Sequence, residues 1–306
     1  MSHRTLIVGS RGSRLALRQT EIALEALSGA HPDATFEVRT IRTAGDSTKA
    51  SLSEIGGRGV FVIEIERALL AGEIDIAVHS LKDLPAEETA GLAIAAVLPR
   101  EDPRDVLISR RKATLDRLAR GAVVGTGSPR RAAQLIAMRP DLRITDIRGN
   151  VDTRIRKVRD REYDAVVLAA AGLARLGWSR RASQTFDPDE MLPAPGQGAL
   201  AIQVRTEDIE TFALALSVDD PDTRAAVEAE RTFERRLGGG CHAAVAALGE
   251  VIDDRLRLRG LVADPGGGQL VRGEFEGDVS DPESVGLMLA ERLMEDGAAS
   301  LLEATA

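Results

Sequence analysis

Over its first two thirds the chain repeats one rhythm, a short apolar run followed by a longer amphipathic stretch. TLIVGS (5–10) reads as a buried strand, followed by a helix from about Ser13 to Leu27. FEVRTIRT (36–43) is a strand, VFVIEIERALLAGE (60–73) a helix and DIAVHSL (75–81) a further strand. Successive parallel strands need a crossover, and a helical crossover covers the sheet it connects, so this βαβαβ rhythm predicts a parallel sheet covered by helices. Such sheets take ligands in the crevice beyond the carboxyl ends of their strands.

A second unit of the same kind begins near Arg100-Glu101-Asp102-Pro103-Arg104-Asp105. It contains the strands AVVGTG (122–127), RITDIRG (143–149) and DAVVLAAAGL (164–173), with helices starting at Ser128 and Val151. Ser128 suits an N-cap and Pro129 the first helical position, where its missing N–H costs nothing. Gly- and Pro-rich crossings near 99–104 and 191–198 imply that the chain leaves the first domain and returns, with ALAIQVR (199–205) as the returning strand. The last part changes rhythm. A helix over 221–237 ends at Gly238-Gly239-Gly240, three strand-like runs follow (AAVAALGEV, RLRLRGLVAD, QLVRGEFEG), and a final helix covers 282–303. Strands grouped between helices predict a small α+β domain. With 306 residues the chain exceeds what one core serves. The expected division is 1–99 with 199–218, then 100–198, then 219–306.

Composition excludes several functions. Apolar residues make up 43% and charged residues 29%, as in a globular protein. With 3% aromatics and a net charge of −8, there is little to stack bases or attract polyanions, so no nucleic-acid partner is expected. A single cysteine rules out an intramolecular disulfide, and with four scattered histidines it rules out a Cys-rich zinc site. No stretch approaches the roughly 20 apolar residues of a membrane span, and the first apolar run returns at once to arginine. A cytoplasmic protein is expected.

Cys241 follows three glycines directly after a helix; glycines allow close approach by a ligand, so the thiol suits a nucleophile or an attachment point. Asp83, in His79-Ser80-Leu81-Lys82-Asp83-Leu84-Pro85, lies beyond the end of a predicted parallel strand, where a catalytic carboxylate belongs. The two βα junctions Gly125-Thr126-Gly127-Ser128-Pro129-Arg130-Arg131 and Arg148-Gly149-Asn150-Val151-Asp152-Thr153-Arg154 each place arginines beside a helix N-terminus, a ready site for phosphate or carboxylate. Neither matches a nucleotide P-loop or a GxGxxG turn. A carboxylate-rich ligand held between two domains fits these features best. A two-domain solute-binding module would share them, but not the extra cysteine domain. A thiol hydrolase or acyltransferase would leave Cys241 open to thiol reagents.

Taken together, the segments resemble the porphobilinogen deaminase (hydroxymethylbilane synthase) family. The matching stretches are Gly9-Ser10-Arg11-Gly12-Ser13, Gly56-Gly57-Arg58-Gly59-Val60-Phe61, HSLKDLP (79–85), REDPRD (100–105), GTGSPRR (125–131), RGNVDTR (148–154), LAAAGLARLG (168–177), PAPGQGAL (193–200) and GGGCHAAV (238–245). They occur in order and cover most of the chain. The resemblance implies two α/β domains like those of periplasmic binding proteins plus a small C-terminal α+β domain carrying the cofactor cysteine. It implies a dipyrromethane cofactor, made from the substrate and held as a thioether at Cys241, with no metal or nucleotide. Four porphobilinogen units are then joined in turn with loss of ammonia, and hydrolysis releases linear hydroxymethylbilane.

In this reading Asp83 matches the catalytic aspartate, stabilising the positive charge that develops as ammonia leaves. Arg11, Arg130, Arg131, Arg148, Arg154 and Arg175 match the set that binds the acetate and propionate groups of the pyrroles. Ser13, Lys82, Thr126, Ser128, Gly149 and Gln197 match supporting contacts. Arg58 stands where many members carry lysine and keeps the charge, whereas Glu54 reverses it and inherits no contact. His242 replaces a more frequent glutamine or serine and is assigned no role. The resemblance leans to a monomer.

Overall fold

The computed structural model describes residues 4–43, 62–238, 244–264 and 266–303. In chain order the strands are β1 (Thr5–Arg11), β2 (Thr35–Ile41), β3 (Ile76–Ser80), β4 (Leu92–Val97), β5 (Asp105–Ser109), β6 (Val123–Gly125), β7 (Arg143–Thr145), β8 (Ala165–Ala169), β9 (Gln184–Thr185), β10 (Leu200–Arg205), β11 (Ala244–Ile252), β12 (Arg255–Ala263) and β13 (Leu270–Asp278). The helices that matter here are α1 (Arg14–Ala30), α2 (Ile63–Leu70), α3 (Pro129–Met138), α4 (Val151–Arg159), α5 (Ala170–Arg175), α6 (Ile209–Leu216), α7 (Pro221–Arg236) and α8 (Pro282–Leu293).

The described strands form two five-stranded sheets of like design, β2-β1-β3-β10-β4 and β7-β6-β8-β5-β9, and a three-stranded sheet β11-β12-β13. In each large sheet the first three strands are parallel and the last two neighbours antiparallel. The predicted parallel sheet thus holds for three strands of each, and the returning run 199–205 is a strand that runs the other way. The reason is where the chain re-enters. Ala199 accepts a hydrogen bond from Leu81 N (3.1 Å), just past the carboxyl end of β3, so β10 can only run back down the sheet. Arg104 accepts from Ala170 N (2.9 Å) in the same relation to β8, and β5 is antiparallel for the same reason.

Helices cover both faces of the large sheets. In the first, Leu6, Val8, Ile76 and Ile202 pack with Ala23 and Leu27 of α1 and Ala215 of α6. On the opposite face Ile65 and Leu69 of α2 pack with Ile74 and Ala77. The second sheet has one core with Leu135 of α3 and another with Val158 of α4 and Leu173 of α5. The run 164–173, expected as one strand, divides into β8 and α5. A continuous apolar run cannot be split by periodicity, and the small Ala170, Ala171 and Gly172 start the helix without crowding the sheet.

One face of the C-terminal sheet packs on α7 and α8 around Phe233, Leu256, Leu258 and Leu289. Its other face, through Ala244, Ala246 and Leu248, meets Ala133 of α3 and Leu192. The helix expected over 282–303 is interrupted: Gly297 has φ 109°, open to glycine alone among common residues, and separates α8 from a last turn at Ala299–Glu303. The chain divides into two compact units, Met1–Glu101 with Ala199–Arg224, and Asp102–Gly198 with Ala225–Ala306. Among the described residues no helix is long and apolar enough to cross a membrane.

Candidate active site

In the first unit β3 ends at Ser80 and the chain turns at once through a single 3₁₀ turn, Leu81–Asp83. Leu81 and Leu84 are its anchors, 2% and 4% exposed, and Leu84 N donates to Leu81 O at 3.0 Å. Lys82 and Asp83 between them stay half-buried. Among the described residues the Asp83 carboxylate takes no hydrogen bond or ion pair. The neighbouring acids differ: Asp75 accepts from Ile7 N (2.9 Å) and pairs with Arg4 and Arg205, and Asp219 accepts from Val97 N (2.7 Å). Asp83 is therefore held by its backbone, with its carboxylate uncommitted among the described residues.

Arg11 is the last residue of β1 and Ser13 caps α1, its hydroxyl accepting from Ala16 N at 3.2 Å. His79, four residues before Asp83, is buried. Gln203 Nε2 donates to Glu66 Oε1 at 2.9 Å, which turns Gln203 Oε1 toward His79 Nε2 (3.1 Å) and makes that nitrogen the protonated one. Burial pushes the imidazole down to about 4; the Gln203 acceptor opposes this and the Arg11 guanidinium reinforces it. At neutral pH His79 is an uncharged donor, and nothing in its surroundings makes it a base.

The second unit brings Thr126, Ser128, Arg130, Arg131 and Gln197 together. Thr126 Oγ1 accepts from Ser128 N (3.2 Å), and Ser128 caps α3 by accepting from Arg131 N (3.4 Å). Arg130 and Arg131, whose side chains are 5% and 8% exposed, both point at the fully buried Asp105. Arg130 Nη1 donates to Oδ2 at 2.7 Å, and Arg131 Nε and Nη2 donate to Oδ1 at 3.0 and 2.7 Å. Gln197 Nε2 donates to Asp105 Oδ1 (2.9 Å) and to Pro103 O (2.6 Å). Burial alone would raise the Asp105 carboxyl, but the two guanidiniums outweigh it and hold it far below the usual carboxylate range. These arginines are thus oriented by a buried acid, and two cations on one carboxylate leave surplus positive charge. That donor set fits an anionic group.

At the second junction Gly149 has φ 104°, and a Cβ there would meet Thr153 Cγ2 at 2.6 Å, so the turn into α4 requires glycine. Arg154 Nε donates to Gly149 O (2.7 Å) and Arg148 Nε to Asp146 (3.0 Å, side chain 31% exposed). Arg175 Nη2 donates to Gly198 O at 2.5 Å. Cys241 and His242 lie outside the described residues, as do Glu54 and the glycine stretch with Arg58. Asp105 escaped the sequence reading as a site residue, although it closes the motif Arg100–Asp105. A carboxylate opening an apolar strand gives no sign that it will be buried.

These features describe two buried arginines gathered on one carboxylate in one α/β unit and, in the other, a strand-end carboxylate with no partner among the described residues. Two family models match: "Porphobilinogen deaminase, dipyromethane cofactor binding domain" over residues 6–213, and "Porphobilinogen deaminase, C-terminal domain" over 224–295. That defines the class, a transferase that carries a dipyrromethane cofactor. Porphobilinogen deaminase of Thermus thermophilus is 49% identical over 98% of this chain and 98% of its own length. That of Syntrophus aciditrophicus is 50% identical over 97% of each chain. Among solved structures, a putative methionine-binding lipoprotein of Bacillus subtilis is similar at TM-score 0.46 and 14% identity, over 71% of this chain and 91% of that one. The chain belongs to the porphobilinogen deaminase family, the transferases of tetrapyrrole biosynthesis.

Proposed function

We propose that this chain makes hydroxymethylbilane from four porphobilinogen units with Asp83 as the catalytic carboxylate and Cys241 as the cofactor's thioether attachment. The observation that carries the assignment is the Asp83 carboxylate, without a partner among the described residues, on a turn pinned by two buried leucines at the end of a parallel strand. As the C–N bond of the substrate's aminomethyl group breaks and ammonia leaves, positive charge spreads to the pyrrole nitrogen. A fixed carboxylate beside that nitrogen stabilises the charge and accepts the N–H hydrogen bond. Dipyrromethane supplies the free pyrrole end at which each new C–C bond forms, with loss of that carbon's proton.

The arginines answer the other demand of the chemistry. Each pyrrole adds an acetate and a propionate, and carboxylates a few ångströms apart repel by about 4 kcal/mol at an effective dielectric of ~20. Arg11, Arg130, Arg131, Arg148, Arg154 and Arg175 offset this, with Lys82, Ser13, Thr126, Ser128, Gly149 and Gln197 in support. The Asp105 cluster supports the reading because it aims two guanidiniums while leaving them net cationic. The functional division is threefold: residues 1–99 with 199–218 carry Asp83, 100–198 bind carboxylates, and 219–306 carry Cys241. The protein acts as a cytoplasmic monomer without nucleic-acid partners.

Intact mass of the denatured protein tests the reading. Wild type should exceed the polypeptide mass by two linked pyrroles, mapping to the Cys241 peptide; Asp83→Asn should keep that mass and its melting temperature while turnover falls roughly a hundredfold or more. An unmodified Cys241 after incubation with porphobilinogen, or near-normal turnover in Asp83→Asn, would refute the respective assignment.

A further inference from the structure

Glu230 lies in α7, is fully buried, and belongs to none of the motifs by which the family is recognised. Its two carboxylate oxygens are divided between two backbone amides far apart in sequence. Oε2 accepts from Gly196 N at 2.6 Å, and Oε1 accepts from Gly249 N at 2.7 Å. Gly249 is in β11, and a Cβ there would sit 2.7 Å from Ala226 O, so strand and helix touch through their backbones one turn before Glu230. Gly196 has φ 71° and Gly198 φ 94°, so the turn between them is a left-handed backbone that needs an external tie to keep one shape. A second tie comes from Ala247 N, which donates to Pro193 O at 3.1 Å.

That turn exists to present Gln197. With its backbone fixed, the Gln197 side chain reaches Pro103 O and Asp105, and accepts from Arg131 Nη2 at 3.4 Å. The same helix α7 leads to Gly238 and the same strand β11 starts at Ala244, so Glu230 binds together the two elements that flank Cys241 in the chain. One carboxylate joins α7 and β11, which stand on either side of Cys241 in the sequence, to the turn completing the Asp105–Arg130–Arg131 cluster.

We infer that Glu230 is a positioning residue for the cofactor: it holds the Gln197 turn, and through it the two buried arginines, in register with the helix and strand that precede and follow Cys241 in the chain. The inference rests on the assignment of Cys241 and the arginines above. It calls for a carboxylate, since the two amides meet different oxygens, Gly196 N on Oε2 and Gly249 N on Oε1. A glutamine turns an N–H₂ toward one of them.

The test compares wild type, Glu230→Gln and Gly277→Ala, the last a packing variant in β13 whose added Cβ would meet Val285 Cγ2 of α8 at 2.5 Å and so lowers the melting temperature for reasons of space. Each protein is expressed, purified and weighed intact after incubation with porphobilinogen, and its melting temperature is recorded. Glu230→Gln should show at least a fivefold smaller fraction of chains bearing two linked pyrroles, and at least a tenfold lower kcat per loaded chain with KM within threefold. Gly277→Ala should load like wild type at a melting temperature comparable to that of Glu230→Gln. Loading and kcat per folded chain equal to wild type in Glu230→Gln would overturn the inference and leave Glu230 a packing residue. If Glu230→Gln does not fold, Glu230→Asp, which keeps the charge but reaches one amide only, must show the same loading defect; failure of both to fold makes Glu230 a folding residue and equally overturns it. Absence of added mass in wild type would bring down the Cys241 assignment, and the inference with it.

Discussion

Asp105→Asn isolates what a buried acid does for two arginines. Asparagine keeps the volume of the side chain but removes its charge and turns an N–H₂ toward donors that need an acceptor. The groups affected are the Arg130 Nη1 contact at 2.7 Å, the Arg131 contacts at 3.0 and 2.7 Å and the Gln197 contact at 2.9 Å. Because Asp105 is fully buried and both guanidiniums are less than a tenth exposed, water cannot replace the lost acceptor. Removing one partner of such a pair costs about 3–5 kcal/mol. For a cooperative unit of this size each kcal/mol moves the melting temperature by about 2–4 °C, so a fall of roughly 6–20 °C is expected. Calorimetry at pH 7.5 measures it; the depressed Asp105 carboxyl is fully ionised there, and its contribution is lost only as pH falls through that depressed value. Replacing Asp105 by leucine and both Arg130 and Arg131 by methionine should recover part of the loss, since no charge of the cluster is then left buried without its partner. A melting temperature for Asp105→Asn within about 2 °C of wild type, the behaviour of a surface change, would refute the picture of a charge-coupled core.

Two further outcomes follow from the packing. Burial holds His79 neutral down to about 4, against an ordinary value of 6.5, so the unfolded chain binds a proton in that window that the folded chain does not. Stability should therefore fall as pH drops from 6.5 to 4, by up to about 3 kcal/mol, and urea unfolding of His79→Gln should show a flatter pH slope; an unchanged slope would exclude His79 as its source. Gly286→Ala puts a Cβ 2.5 Å from Ala229 O where α8 crosses α7, and the strain should cost about 1–3 kcal/mol in chemical denaturation; wild-type stability would mean the helices can part without penalty.

What could be read along the chain is what neighbouring residues decide together. Ser13 and Ser128 were legible as helix caps because a cap bonds an amide only three residues away. Strands β1, β2, β3, β6, β7 and β10 were legible from their apolar runs, as was the return of the chain near residue 199, whereas β4, β5, β9 and α6 were not read. Even Asp83 could be placed beyond a strand end, since the turn residues after β3 follow directly. Strand direction was not legible. β5 and β10 are antiparallel because of where Arg104 and Ala199 enter the sheets, a fact about chain path that no local pattern carries.

The fate of each charge was decided by the fold as well. Asp83 and Asp105 both stand at strand ends among basic residues, yet one is left without a partner among the described residues and the other accepts from Arg130, Arg131 and Gln197. Glu230 looks in the sequence like any acidic residue on a charged helix, and becomes a joint only when residues 196 and 249 converge on it. Periodicity and capping are set within a few residues by backbone geometry. Burial and partnership of a charge depend on groups dozens of positions away, which only the folded chain brings within hydrogen-bond range.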